Sequence, residues 1–274
     1  MTCRFAALAA ACCTAACCAL AAGSARAQAF AYAPGTHRYR ITSMLTWTQE
    51  VGEQKMSDSA VSVQVISVVL APASKDTLRF EYAVDSVRAT LPQAQQLLAG
   101  MRGRKVTGLM SPQGEVFDFQ MPNDRASPVG GQEYRSLRSF LLRFPNAGLR
   151  AGLRWADTVS NPFSNMGLEG TETTIVTSRV AGDTTIAGVR AWRVERTVTG
   201  TVSGSGTQNG QAIVLDGTRS VAGESYVSRS GVYLGSVSTQ EVKTTMRDPA
   251  SGRSVVITQS ATSKIERIGP PTKS

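Results

Sequence analysis

One histidine, His37, limits the nucleophilic and metal chemistry open to this chain. A Ser-His-Asp relay would have to use it. It sits three residues past Pro34 in what reads as an edge strand, and no Gly-x-Ser-x-Gly elbow supplies a nucleophile. Two-histidine metal sites are excluded. Carboxylates could still do acid–base work where two meet in space. The local clusters are Glu50 with Glu53, Asp76 with Glu81 and Asp85, and Glu169 with Glu172. Glu81 and Asp85 alternate with apolar neighbours, as on the wet face of a strand. Scattered carboxylates leave an oxygen-only calcium site open. The glycine-rich stretch Gly200 to Gly210 lacks the Lys-Ser/Thr ending of a phosphate loop and reads as a flexible hairpin tip. Arg102, Arg104 and Lys105 form the densest basic patch, without the interleaved aromatic rings that stack nucleic-acid bases. No residue is assigned a catalytic, cofactor-binding or metal role. No cofactor and no nucleic-acid partner are expected.

The N-terminus carries a different signal. Arg4 precedes an apolar run, Phe5 to Ala22, and Ala25-Arg26-Ala27 gives the small-x-small pattern of signal cleavage before Gln28. The run is mostly Ala and at the lower limit of a membrane span, so a cleaved signal is preferred to an anchor. All five cysteines, Cys3, Cys12, Cys13, Cys17 and Cys18, lie inside it. Neither Cys12 nor Cys17 has the Leu three positions earlier that lipidation favours. The mature chain is expected to be exported to the periplasm or beyond, to hold no cysteine, and to span no membrane.

Removing Arg4 and Arg26 from the 29 basic residues leaves 27 against 20 acidic ones. Arg greatly outnumbers Lys, a bias that looks compositional, and the bland reading is a solvated basic surface.

Strand signals dominate the rest. Leu78, Phe80, Tyr82 and Val84 alternate with polar neighbours, and the apolar phase then moves to Val87, Ala89 and Leu91. That shift predicts a bulge at Asp85-Ser86. Ser111-Pro112-Gln113-Gly114, Ser228-Arg229-Ser230-Gly231 and Asp248 to Gly252 read as turns joining antiparallel strands. Val255, Ile257, Ala261 and Ile265 share a face of the last strand. Two segments have helical spacing instead. Leu91, Ala94, Leu97, Leu98 and Met101 form one stripe. Tyr134, Leu137, Leu141 and Phe144 form another, over 132–144, stopped by Pro145. Residues 121–131 between them read as a linker.

Trp192 continues the face of Val194 and Val198 and reads as core, with Trp47 and Trp155 the other large anchors. Gly152-Leu153-Arg154-Trp155-Ala156-Asp157, Gly188-Val189-Arg190-Ala191-Trp192 and Gly231-Val232-Tyr233-Leu234 carry a likeness over the second half of the chain. There the sequence resembles uncharacterised secreted β-rich bacterial proteins with a similar Gly-x-x-Trp phrase. The resemblance implies long antiparallel strands and no assigned activity. At the level of fold alone, long strands curling round helices resemble periplasmic lipoprotein-carrier half-barrels.

The expected fold is mainly β (α+β): long antiparallel strands in a curved sheet or half-barrel, with two amphipathic helices. The expected divisions are a signal peptide 1–27, a mixed half 28–144, an all-β half 145–268, continuous with the first or separate, and a tail 269–274. An outer-membrane barrel is disfavoured by few aromatic residues and a tail without a terminal aromatic strand. The leading function is non-catalytic: an envelope protein that binds or carries an apolar or amphipathic ligand such as lipid, or meets envelope proteins. The alternatives are an extracytoplasmic hydrolase using carboxylates, or a structural interaction module. Trp155, Tyr134, Leu137, Leu141 and Phe144 are the candidate ligand-lining residues.

Overall fold

The computed structural model describes residues 30–120, 140–165, 167–208 and 210–269. Among these, eleven strands and one helix follow in the order β1 (Gly35–Val51), β2 (Gln54–Ser74), β3 (Thr77–Ala89), α1 (Pro92–Ala99), β4 (Lys105–Met110), β5 (Val116–Gln120), β6 (Arg154–Asn165), β7 (Leu168–Ile186), β8 (Val189–Gln208), β9 (Gln211–Ser228), β10 (Tyr233–Arg247) and β11 (Ser254–Ile268). They form one sheet in the order β5-β4-β3-β2-β1-β11-β10-β9-β8-β7-β6, every neighbouring pair antiparallel. Two meanders are thus joined by the long-range pair β1–β11, which aligns Tyr39 with Arg267 and Trp47 with Gln259. The chain leaves β5 at one edge and re-enters at β6 on the other.

Local chemistry explains the strand ends. Ser111, Ser228 and Asp248 open the expected turns: Gly114 N donates to Ser111 O, Gly231 N to Ser228 O and Gly252 N to Asp248 O. Between β7 and β8, Ile186 pairs with Val189 across Ala187 (φ 48) and Gly188 (φ 80). Two positive φ values make this the mirror-image turn whose twist matches the strands. The bulge falls at Asp85, where the β2–β3 register shifts between Val65–Ser86 and Ile66–Val84. Its carboxylate accepts from Arg38 Nε at 3.0 Å and from Ser67 Oγ at 2.7 Å.

Alternation divides the sheet into two faces. Tyr39, Ile66, Phe80, Tyr82, Val84, Val180, Val194 and Val227 share the inner face and are buried. Met101 and the half-buried Leu98, at the end of α1, close over them. The outer face of β7, β8 and β9 carries Thr177, Thr197, Thr199, Thr201, Thr218 and Ser220 in register, all exposed.

Laid flat, eleven strands would hold their edges about 48 Å apart. Yet Arg143 bonds to both edges: Nη2 lies 3.2 Å from Glu115, beside β5, and Nη1 lies 3.3 Å from Asp157 of β6. The sheet is therefore strongly curled, with no β5–β6 ladder closing it. Inner-face glycines permit the curl. A Cβ on Gly217 would sit 2.7 Å from Val202 Cγ1 and 2.8 Å from Lys243 O, and one on Gly223 would sit 2.7 Å from Ser238 Cβ.

Two expectations are corrected here. Only one complete helix, α1, is present among the described residues. Of the second, 132–139 and with them Tyr134 and Leu137 lie outside the described residues, as does the expected linker 121–131. Of the described part, Phe140 is helical, while Leu141 to Phe144 is a bend followed by irregular backbone. Pro145 disfavours helical geometry at Phe144. The backbone bonds of this stretch go elsewhere: Phe144 N donates to Gln113 O at 2.8 Å, and Leu142 O accepts from the Tyr32 hydroxyl at 3.0 Å. Second, Gly200, Gly204 and Gly206 are not in a loop. They lie within β8, on the inner face, and the turn to β9 comes only after Gln208.

Candidate functional site

The irregular strap 140–149 fills one end of the curled sheet. Phe140, Leu141, Leu142, Phe144 and Leu149 are all buried, while Arg143 points out. The Phe140 ring stands 4.8 Å from both Tyr39 and Tyr233, edge to face. The Phe144 ring lies 4.1 Å from Phe30 and 6.1 Å from Trp155, whose Nε1 donates to Arg143 O at 3.0 Å. The structure thus brings Leu141, Phe144 and Trp155 into one cluster. Such rings are worth about 0.5–1.5 kcal/mol per well-placed pair beyond their buried area. The space left among Tyr32, His37, Tyr39, Leu141 and Tyr233 is about 10 Å³, room for one water.

His37 is buried at the rim of that space, 6.5 Å from the Tyr39 ring. Burial first, and then the Arg267 charge, hold its pKa below the ordinary value; the Ala33 backbone offsets this only in part. Neither ring nitrogen makes a well-formed hydrogen bond among the described residues. Burial raises the phenols too, Tyr233 to about 12 and Tyr32 well above its usual value. His37 is therefore set among aromatic rings rather than beside a serine or a carboxylate.

The carboxylate clusters come apart. Glu50 pairs with Lys55 at 3.0 Å near the β1–β2 turn, Glu81 with Lys105 at 2.7 Å, and Asp85 with Arg38. The basic patch is split: Lys105 pairs with Glu81, while Arg102 forms a backbone bridge with Val84. No group of three or more His, Cys, Asp or Glu side chains gathers among the described residues. Trp192 is buried as core, with the Arg229 guanidinium 3.2 Å above its ring and held there by Asp183.

Glu172 is the exception, because it faces inward. Along β7 it shares a face with Thr174, Val176, Ser178 and Val180, and is only 17% exposed. Arg219 of β9 reaches it at 3.5 Å and donates to Gln240 Oε1 at 3.1 Å. Arg196 of β8 shares this face with Trp192, Val194 and Val198. Burial lowers its pKa most, the Arg219 charge adds to that, and Tyr233 opposes it. In the same cross-strand row as Arg196 lie small residues: Ser178 on one side, and Gly223, Ser238, Ser263, Ser43 and Ser62 in turn on the other. Ser43 Oγ donates to Ser263 Oγ at 3.2 Å. Beyond this row the inner face is half-buried and mixed, with Leu45, Trp47, Val176, Val221, Val242 and Ile257 set among Glu172, Arg219, Gln240 and Gln259. The two arginines escaped the sequence reading, which took arginine for surface composition. Their even-numbered or odd-numbered phase with core valines was the available signal.

No family model matches the chain, and no curated protein matches it. Among solved structures, one described as "Asymmetric conductivity of engineered proteins" is 8% identical over 82% of this chain and 99% of its own, with a TM-score of 0.25. A DUF1329 family protein from Desulfovibrio piger is 9% identical over 81% of this chain and 84% of its own, with a TM-score of 0.20. An outer membrane protein of Vibrio cholerae, a loop-deletion mutant of OmpT, is 6% identical over 85% and 99%, with a TM-score of 0.25. No helix among the described residues is long and apolar enough to cross a membrane.

Proposed function

We propose that this chain is an exported, non-catalytic envelope protein that binds or carries an apolar or amphipathic ligand on the inner face of its sheet. The observation that carries the reading is a set of half-buried apolar side chains beyond the filled core: Leu45, Trp47, Val221, Val242 and Ile257 share the inner face. Exposed apolar area of this kind costs about 25 cal/mol per Å², which a ligand would relieve. The hydroxyl-rich outer face suits water. In this reading Leu141, Phe144 and Trp155 form the closed end of the site. The halves 28–144 and 145–268 then act as the two walls of one binding sheet, and a signal peptide cleaved after Ala27 directs export.

Native mass spectrometry of the protein secreted from a bacterial host tests both parts in one measurement. The expected spectrum shows a chain starting at Gln28, without an attached acyl group, together with a lipid-bound form. A chain starting at Cys12 or Cys17 and carrying acyl mass overturns the processing. Absence of any bound form, even after incubation with extracted envelope lipid, overturns the binding.

A further inference from the structure

We infer that the outer face of β1, β2 and β3 docks on an anionic phospholipid surface, with Met44, Val61, Val63 and Val65 entering the headgroup layer and Arg40 and Arg88 meeting lipid phosphates beside them. This goes beyond the ligand-binding reading, which concerns the opposite face, and stands or falls apart from it.

The pattern starts in the sequence of β2. Alternation sends Ile66, Val68 and Leu70 to the core, and the other phase of a strand with one wet face is ordinarily polar. It is polar at Ser59 and Ser67 but apolar at Val61, Val63 and Val65 between them. The ladder sets Met44 of β1 beside Val61, Thr42 beside Val63 and Arg40 beside Val65. On the other side, Arg88 of β3 lies beside Val63 and Ser86 beside Val65. Met44 is 51% and Val61 38% exposed, and Val63 and Val65 are half-buried. On the same face β8 carries Thr197, Thr199 and Thr201, so the apolar cluster is a local feature rather than the habit of the whole face.

The charge around the cluster is unbalanced in one direction. The nearby carboxylates belong to other cations: Asp85 to Arg38 at 3.0 Å and Glu266 to Lys264 at 2.6 Å. Arg40 and Arg88, both exposed, have no ion-pair partner among the described residues. They flank the valines, one from each neighbouring strand. An arginine so placed lays its carbons along apolar surface and lifts its guanidinium to the phosphates. Size selects the partner. The apolar part runs about 14 Å along β2 and about 10 Å across β1 to β3. Its area is on the order of 150 Å², far below the roughly 800 Å² that each partner buries in a stable protein complex. A lipid surface sets no such minimum, because it deforms round a small patch and attracts cations over a Debye length. The outer face of a curled sheet is convex, and β1 and β2 lie well inside the strand order, away from both edges.

The chain from Gln28 onward has no cysteine, so a single introduced cysteine reports its own surroundings. Met44→Cys and, as the reference, Thr201→Cys on the outer face of β8 each carry an environment-sensitive dye. Vesicles of phosphatidylcholine are compared with vesicles in which half of it is replaced by phosphatidylglycerol. The dye at position 44 is expected to shift to the blue on the anionic vesicles only, and the dye at position 201 to stay unmoved. In co-sedimentation of the unlabelled protein with anionic vesicles, Arg40→Gln and Arg88→Gln should each weaken binding about fivefold. Arg154→Gln, an equal loss of exposed charge on β6, should change it little. The dye readings decide the question even where an arginine variant fails to fold. No sedimentation with anionic vesicles, a blue shift of both dyes, or equal weakening by Arg154→Gln overturns the docking face. A shift at position 44 on added acidic polypeptide but not on vesicles also overturns it, and gives the patch to a protein partner. None of these outcomes touches the inner-face reading, which lipid bound in the native spectrum decides.

Discussion

Leu141→Ala probes whether the strap packs as core. Leu141 is 4% exposed and lies against Phe140, Tyr39 and Tyr233 at the small cavity. Truncation removes three carbon groups at about 0.8 kcal/mol each, near 2.4 kcal/mol of transfer energy. A cavity contribution adds to that, because neighbours that already leave about 10 Å³ unfilled are held by ring contacts and do not close readily. The expected loss is therefore about 3–4 kcal/mol, a large share of a typical domain's 5–15 kcal/mol. Urea unfolding of the mature chain should show a lower midpoint with unchanged slope. A loss under about 0.5 kcal/mol would refute the packing, since only a side chain in contact with solvent or a mobile partner loses so little.

His37 gives a pH dependence. Its folded pKa lies below the ordinary value, so on acidification the unfolded chain takes up the proton first. The stability it contributes is complete above about pH 6.5 and declines as pH falls below that. His37→Phe should flatten this slope in urea midpoints measured between about pH 8 and pH 5; an identical slope in the variant contradicts the assignment. Ala187 occupies a left-handed position, φ 48, that asparagine tolerates better. Ala187→Asn should stabilise by roughly 0.5–1 kcal/mol in thermal melts, and a lower melting temperature would show that the turn is not of the mirror-image type.

Much of the strand framework was legible because it is local. The phase change at Asp85 marked the bulge, and Ser-x-x-Gly spacing marked the turns. What failed was non-local. Leu141 and Phe144 continue a helical spacing, but helical backbone stops at Phe140, and Phe140 and Leu142, off that stripe, are buried as well. A segment whose backbone bonds to Tyr32 and Gln113 has no need of helical periodicity. The glycines of β8 looked like a loop because sequence shows what glycine permits, not that a curled sheet crowds its inner face. Pairing of β1 with β11 joins chain ends more than 200 residues apart, beyond any local signal. Of the candidate site, the aromatic anchors were visible and the arginines were not. Arg219 acquires meaning only when Glu172 and Gln240, from other strands, arrive beside it.

Methyl-resolved NMR of the mature chain titrated with cis-parinaric acid tests the inner-face site most directly. Shift changes are expected for Val176, Val198, Val221, Val242 and Ile257, which face inward, while the outward Ile175 and Val237 stay silent. Shifts concentrated on Ile175 and Val237, or no shifts at saturating probe, would contradict a ligand site inside the sheet.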